Sequence, residues 1–353
     1  MLWHSPQGTS ATARKENMIM DDTVFYNVQS SPFRVYGLSF NGECYHRCPI
    51  EVAQNTNDGV KGLNFNTAGG RVRFVTDSPY IRLRATLNGQ GKMQHFALTG
   101  SAGFDLYTGE KRLSRYQGTF IPQFDEDAVE GEIWLDTCGE QLITVNFPTY
   151  SGVKKAEIGL KPGASLKAAP DYSLSGRVVY YGSSITQGGC CSRPGNTYQA
   201  ILTARLDIDH LNLGFSGSAK GEPAMRDYIA GLDMRAFVLD YDHNAPDVEH
   251  LRRTHEPLYQ AVRKAHPDLP ILMLTRPKVH LTEDEKQRKA VVESTYRHAL
   301  AAGDRFVYFI PGDLLIAPTA IEHATVDNCH PNDIGFLCMA NAIEPVLRRM
   351  LNA

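Results

Sequence analysis

Val178-Val179-Tyr180-Tyr181-Gly182-Ser183-Ser184-Ile185-Thr186-Gln187-Gly188-Gly189 is an apolar run ending in a glycine-flanked, hydroxyl-bearing turn. The run lacks the polar–apolar alternation of a half-solvated strand, so it predicts a strand, Val178–Ser183, buried on both faces. The glycines permit a tight strand-to-helix turn from which a hydroxyl projects beyond the strand. Taken alone, the same letters also suit a polar loop with two ordinary serines.

Four more apolar runs follow, at Leu211–Phe215, Ala236–Leu239, Ile271–Leu274 and Phe306–Ile310. Amphipathic stretches alternate with them and predict helices over Thr197–Leu206, Ala224–Ala230, Asp247–Ala265, Glu283–Ala301 and Ile334–Leu351. This rhythm is that of an α/β domain whose parallel sheet is covered by helices on both faces. Open parallel sheets bind ligands in the crevice beyond the carboxyl ends of their strands, so the residues after each strand are the ones to inspect.

Asn212-Leu213-Gly214-Phe215-Ser216-Gly217-Ser218 follows the second strand, and its glycines let a backbone N–H approach a ligand closely. Asp240-Tyr241-Asp242-His243-Asn244-Ala245-Pro246 ends the third, where Asn244 serves equally as an oxyanion donor or as a helix cap. Asp327-Asn328-Cys329-His330-Pro331 lies beyond the fifth strand. An Asp and a His three residues apart can hold an imidazole with one nitrogen on the carboxylate and the other free to take a proton from a serine. Each signal is weak alone, but four of them fall on one crevice. Ser216 lacks the Gly-x-Ser-x-Gly spacing of a nucleophile elbow, and Cys190 and Cys191 read as small residues lining the crevice.

The first half, from about Met20 to Pro170, reads as all-β. Alternating runs at Arg71–Val75, Ile81–Leu87, Ile133–Leu135 and Leu142–Phe147 are separated by Ala68-Gly69-Gly70, Asn88-Gly89 and Lys161-Pro162-Gly163, which predicts a β-sandwich. The Ala/Ser/Pro/Gly-rich segment Gly163–Ser175 reads as a linker. The expected organisation is a tail over 1–20, a β-sandwich over 21–170 and a catalytic domain over 171–353.

The 353 residues carry a net charge of -3 with mixed signs, which leaves no footprint for nucleic acid or an anionic membrane. No apolar run approaches the ~20 residues of a bilayer span. The polar N-terminus lacks the apolar core of a secretory signal, and Met18 and Met20 are alternative starts, so a cytoplasmic protein is expected. Seven scattered cysteines argue against a disulfide scaffold. Cys44-x-His46-x-Cys48 lacks a second ligand pair for a structural metal. The sequence leaves homo-oligomerisation open.

Gly182-Ser183-Ser184-Ile185-Thr186, Asn212-x-Gly214-x-Ser216-Gly217, Asn244 and Asp327-x-x-His330 resemble, in order, the four blocks of SGNH (GDSL-type) hydrolases. Gly103-Phe104-Asp105-Leu106-Tyr107 resembles the Gly-x-Asp-Leu-Tyr motif of the N-terminal domain in a two-domain subgroup. Many relatives carry Asp where Ser183 stands here. The resemblance implies a flavodoxin-like three-layer α/β/α catalytic domain behind a jelly-roll-like β-sandwich. It implies Ser184 as nucleophile, His330 as base and Asp327 as its orienter. The oxyanion would be held by the N–H groups of Ser184 and Gly217 and the amide of Asn244, with no metal or organic cofactor required. Activity would then fall as His330 is protonated, near or below its reference pKa of about 6.5.

Relatives with an appended sandwich include enzymes that deacetylate sugars, so a short-chain, carbohydrate O-acetyl esterase is the expected activity. Arg193 and Tyr198 are candidates either for contacting a polar substrate or for packing the first helix. A carbohydrate-binding protein with an inert hydrolase domain, a lipolytic acylhydrolase of broader specificity, and an acyltransferase stay open.

Overall fold

The computed structural model describes residues 22–109, 114–136 and 138–352, so the expected tail over 1–20 lies outside the described residues. Five parallel strands, β1 (Leu174–Gly182), β2 (Ile208–Gly214), β3 (Ala236–Asp240), β4 (Ile271–Leu274) and β5 (Val307–Ile310), form one sheet in the order β2-β1-β3-β4-β5. That is the flavodoxin-like order, and its switch point lies between β1 and its two neighbours. Successive side chains point to opposite faces. Val179, Tyr181, Leu213, Leu239 and Met273 therefore enter one core, and Val178, Tyr180, Val238, Leu272 and Leu274 the other.

Helices α1 (Tyr198–Leu206) and α5 (Asp333–Leu351) cover the second face, while α2 (Pro223–Ala230), α3 (Val248–Ala265) and α4 (Glu283–Ala301) cover the first. Two sequence boundaries started one residue early for a physical reason. Thr197 and Asp247 have extended backbones, and their side-chain oxygens accept from Ala200 N and His250 N, so they cap α1 and α3 rather than belonging to them. Among the described residues, no helix is long and apolar enough to cross a membrane.

Two antiparallel sheets precede this domain. One orders Val24–Asn27, Val153–Leu160, Tyr80–Leu87 and Ala128–Trp134; the other runs through Leu166–Ala168, Arg71–Thr76, Gln141–Asn146, Phe104–Thr108 and Arg115–Phe120, with Arg34–Tyr36 also pairing Arg71–Thr76. Their inner faces meet in a core that includes Phe74, Leu83, Phe104, Ile143 and Ile158.

Two sequence readings need correction. The segment read as a linker contains a strand, because Leu166–Ala168 pairs with Phe74–Thr76 at the sheet's edge. The first half is not purely β: Ile50–Thr56 and Asp58–Leu63 are helical, and Ala53 and Val60 pack into the α2/α3 face of the parallel sheet. In that sheet Arg71 and Arg73 are 2% and 4% exposed, and Arg71 pairs with Asp209 and donates to Tyr172 Oη at 2.8 Å. The outer face of that sheet thus meets the α/β domain, with charge pairing across the contact.

Candidate active site

The nucleophile turn grows from the end of β1. Ser183 caps the single helical turn Ser184–Gln187, its Oγ accepting Ile185 N–H at 3.1 Å. Ser184 opens that turn, is 7% exposed, and places its Oγ 2.9 Å from His330 Nε2. The imidazole is delivered by a local turn. Asp327 Oδ1 accepts the N–H groups of Cys329 and His330 at 3.0 and 2.7 Å, and its Oδ2 lies 2.7 Å from His330 Nδ1. A carboxylate can only accept, so a proton sits on Nδ1, and in the neutral ring the Nε2 lone pair faces the serine hydroxyl.

The end of β2 is tied to the same turn. Asn212 Nδ2 donates to Thr186 O at 2.7 Å, and its Oδ1 accepts Gly214 N–H at 2.9 Å. Gln187 Oε1 accepts Ser216 N–H at 2.9 Å. A Cβ on Gly214 would lie 2.2 Å from Gln187 N, so only glycine allows β2 to close on the nucleophile turn. Asn244 Nδ2 donates to Phe215 O at 2.9 Å, which fixes its amide over the β2 loop and leaves the second N–H of that group to point elsewhere. Among the described residues, the N–H groups of Ser184 and Gly217 have no acceptor. Each of the three expected oxyanion donors thus keeps an N–H without an acceptor among the described residues.

The sandwich half reaches the site, which no local sequence signal disclosed. Tyr150 Oη donates to Ser184 O at 3.2 Å, and Gln187 Nε2 donates to Thr149 O at 3.2 Å. Arg47 lies buried beneath the β2 loop, donating to the carbonyls of Gly214 and Leu63, with its guanidinium 4.3 Å from the Phe215 ring centroid. The ring of His95 stands 5.6 Å from that of His330 at the rim. Of the cysteine cluster considered for a metal, Cys48 donates its thiol to Asn64 Oδ1 at 3.2 Å and His46 Nδ1 meets Cys48 O at 2.9 Å.

Arg193 and Tyr198 are engaged away from the serine. Arg193 donates to Tyr107 Oη and, at 3.3 Å, to Asp105 Oδ2, and lies 4.0 Å from the Tyr116 ring centroid. It therefore pins the segment after the nucleophile turn onto the Gly-x-Asp-Leu-Tyr strand. Asp105 also accepts Gly195 N–H at 2.8 Å and Asn146 Nδ2 at 2.9 Å, which gives that motif its structural meaning. Tyr198 is fully buried, against Tyr180 and Phe336. Both side chains make the packing contacts that the second of their two readings describes.

The electrostatics differ from the simple expectation for an exposed imidazole. Burial would raise the Asp327 carboxyl, but the His330 N–H and ring outweigh it and hold the carboxyl below its ordinary value. His330 is pushed up to about 9, by the adjacent Cys329 thiol first and by Asp327, against the opposing effect of burial. A base must be neutral, so a raised pKa moves the acidic limb of the rate profile upward. The expected limb in kcat/KM lies above 6.5 rather than at or below it, and Cys329→Ala should move it back toward that value while Asp327 keeps part of the rise. His95 and Cys190 also face the ring, so the profile should be measured in chelated buffer with each of them intact. A limb at or below 6.5 in the wild type would remove both partners from this role.

Two family models match this chain. The GDSL-like lipase/acylhydrolase model covers residues 175–348, and the model for the N-terminus of SGNH-hydrolase-type esterases covers residues 23–166. The chain belongs to this SGNH-type esterase family. Among solved structures, a GDSL-like lipase assignment from Bacteroides ovatus is similar at 26% identity, with a TM-score of 0.84, 94% of this chain and 98% of that chain covered. A salicylyl-acyltransferase from a tetracycline biosynthetic pathway shares the fold at 20% identity, with a TM-score of 0.76, covering 93% and 97% of the two chains. An acetyl xylan esterase from the rumen bacterium Butyrivibrio proteoclasticus shares it at 12% identity, with a TM-score of 0.60, covering 94% and 99%. No curated protein matches the sequence. This SGNH-type esterase thus has a relative of similar two-part build along nearly its whole length.

Proposed function

We propose that this esterase hydrolyses short-chain acyl esters, O-acetyl groups of carbohydrates foremost, through an acyl-enzyme on Ser184. The observation that carries the reading is the continuous relay from Asp327 Oδ2 to His330 Nδ1 at 2.7 Å and from His330 Nε2 to Ser184 Oγ at 2.9 Å. His330 takes the Ser184 proton as the oxygen attacks the ester carbonyl, then gives it to the departing alcohol. Water enters, His330 takes its proton, and the acid leaves as Ser184 is restored. The developing oxyanion is held by Ser184 N–H, Gly217 N–H and the Asn244 amide.

Gly189 packs close behind the nucleophile turn, where an added Cβ would lie 2.9 Å from Tyr150 Oη, 3.1 Å from the Ser184 carbonyl oxygen and 3.5 Å from His330 Cδ2. The carbohydrate preference draws on the acetyl xylan esterase among the fold's neighbours and on the polar rim that His95 supplies. The test compares acetate release from acetylated sugars with hydrolysis of longer-chain aryl esters. Acetyl turnover well above that of an octanoyl ester supports the reading, whereas preference for the long chain replaces it with a lipolytic one. Asn244→Ala should lower kcat by on the order of 10²–10³, the usual effect of losing one oxyanion donor. Unchanged turnover in that variant would take Asn244 out of the oxyanion site. Measuring product with an added alcohol beside water separates hydrolysis from acyl transfer.

A further inference from the structure

Two residues that the relay does not use stand against its imidazole. His95 occupies the tight turn closed by the Phe96 N–H on Met93 O at 3.2 Å, anchored by Phe96 packing edge-on to Tyr150 at 5.3 Å. Its ring is exposed, makes no hydrogen bond among the described residues, and packs against that of His330. Cys190 follows the nucleophile turn with a positive φ of 73° and is 8% exposed. One ligand atom each from His95, Cys190 and His330 lie within 4.8 Å of one another.

We propose that His95, Cys190 and His330 form an inhibitory site for a thiophilic divalent cation, zinc above all, which closes the esterase by occupying its catalytic imidazole. In a tetrahedral zinc site, bonds of ~2.0–2.1 Å to nitrogen and ~2.3 Å to sulfur put ligand atoms about 3.3–3.6 Å apart. The three ligand atoms lie within 4.8 Å of one another, and the exposed His95 ring, held by no hydrogen bond among the described residues, is the part free to bring them to that spacing. His330 already carries the arrangement that metal-binding histidines use, one ring nitrogen on a carboxylate and the other presented outward. The Asp327 carboxylate then supports a metal bond as readily as it supports proton transfer. Binding releases the Cys190 thiol proton to solvent and takes the Nε2 lone pair away from Ser184. The fourth position falls to water or to Ser184 Oγ. Imidazole and thiolate select zinc, cadmium or cobalt over magnesium and calcium, which require oxygen ligands.

A second set, Asp327, Cys329 and His330, also lies within 4.8 Å, but its carboxylate is already taken up by His330 Nδ1 and by the N–H groups of Cys329 and His330. Asp240, Asp242 and His243 also lie within reach of one another, but the Asp242 carboxylate already bonds His243 Nδ1 at 2.7 Å, and the adjoining cleft is lined by Arg276, Arg288 and Lys289. Those cations repel a metal ion.

The inhibition rests on His330 acting as base, whereas binding does not, and the experiment uses both. Full-length protein is stripped with chelator and titrated with zinc while acetyl-ester hydrolysis is followed. Zinc should inhibit reversibly, chelator should restore the rate, and magnesium should have no effect. With inhibition expressed relative to each variant's own metal-free rate, His95→Ala and Cys190→Ser should raise the zinc concentration for half-inhibition by at least about tenfold, as loss of a metal contact does. In parallel, cobalt(II) is added to Ser184→Ala. A thiolate-to-cobalt charge-transfer band that Cys190→Ser abolishes establishes the site whether or not the serine reading stands. Equal zinc sensitivity in wild type, His95→Ala and Cys190→Ser overturns the proposal, as does the absence of that band.

Discussion

Replacing Ser184 by alanine is expected to lower esterase turnover by at least about 10³-fold while leaving the protein folded, because removing the nucleophile of a triad abolishes covalent catalysis and spares only binding and oxyanion stabilisation. The structure makes this substitution unusually easy to interpret. The contacts that hold the turn are made by the Ser184 backbone carbonyl, to Tyr150 Oη and to Gly188 and Gly189 N–H, and by the Ser183 side chain. The Ser184 Oγ itself meets only His330. Alanine therefore removes one reacting atom and little else. The measurement is kcat/KM on a chromogenic acetyl ester, with thermal unfolding run alongside. Mass spectrometry after a serine-directed phosphonate should place the adduct on Ser184 in the wild type. A variant within tenfold of wild type would move the nucleophile elsewhere, and Ser216 on the β2 loop would be the next residue to replace.

Much of this arrangement was legible in the sequence because it is local. Ile271–Leu274 and Glu283–Ala301 match the structure residue for residue, since a continuous apolar run and a Thr282/Glu285 capping box are each written in consecutive letters. The Asp327/His330 relay was equally readable, being a turn of four residues closed on itself. What was not legible depends on contacts across long sequence separations. Nothing near Tyr150, Arg47 or His95 announces the crevice, because their meaning comes from Ser184, Gly214 and His330, which lie 34 residues away in the first case and more than a hundred in the other two. The burial of Arg71 and Arg73 is invisible for the same reason. Charged residues on alternate positions of a strand normally face water, and partners distant in sequence, among them Asp209 and Tyr172, make their burial tolerable. The packing partner of Arg193, Asp105, lies in the Gly-x-Asp-Leu-Tyr motif 88 residues earlier, so nothing beside Arg193 in the sequence announces it.

Asp327→Asn isolates the remaining member of the relay, and a fall in kcat on the order of 10⁴-fold is expected, the size seen when a triad carboxylate becomes an amide. The reasoning turns on which of the two carboxylate oxygens does what. Oδ1 accepts the backbone N–H groups of Cys329 and His330, and the amide oxygen of asparagine can keep both, so the turn survives. Asparagine then presents its N–H₂ where Oδ2 faced His330 Nδ1. A donor at that place forces the ring proton onto Nε2, and the imidazole loses the lone pair that faced Ser184. The ring is still present and still near the serine, but it has nothing with which to accept a proton. The same substitution removes a negative charge that raises the His330 pKa. Whatever activity remains should therefore show its acidic limb at lower pH than the wild type, with the sign opposite to that of a variant that merely loosened the loop. Equal unfolding temperatures with a 10⁴-fold rate difference would locate the effect in the proton relay. A loss of less than tenfold would mean that the Cys329 segment, rather than the carboxylate, sets the ring's orientation.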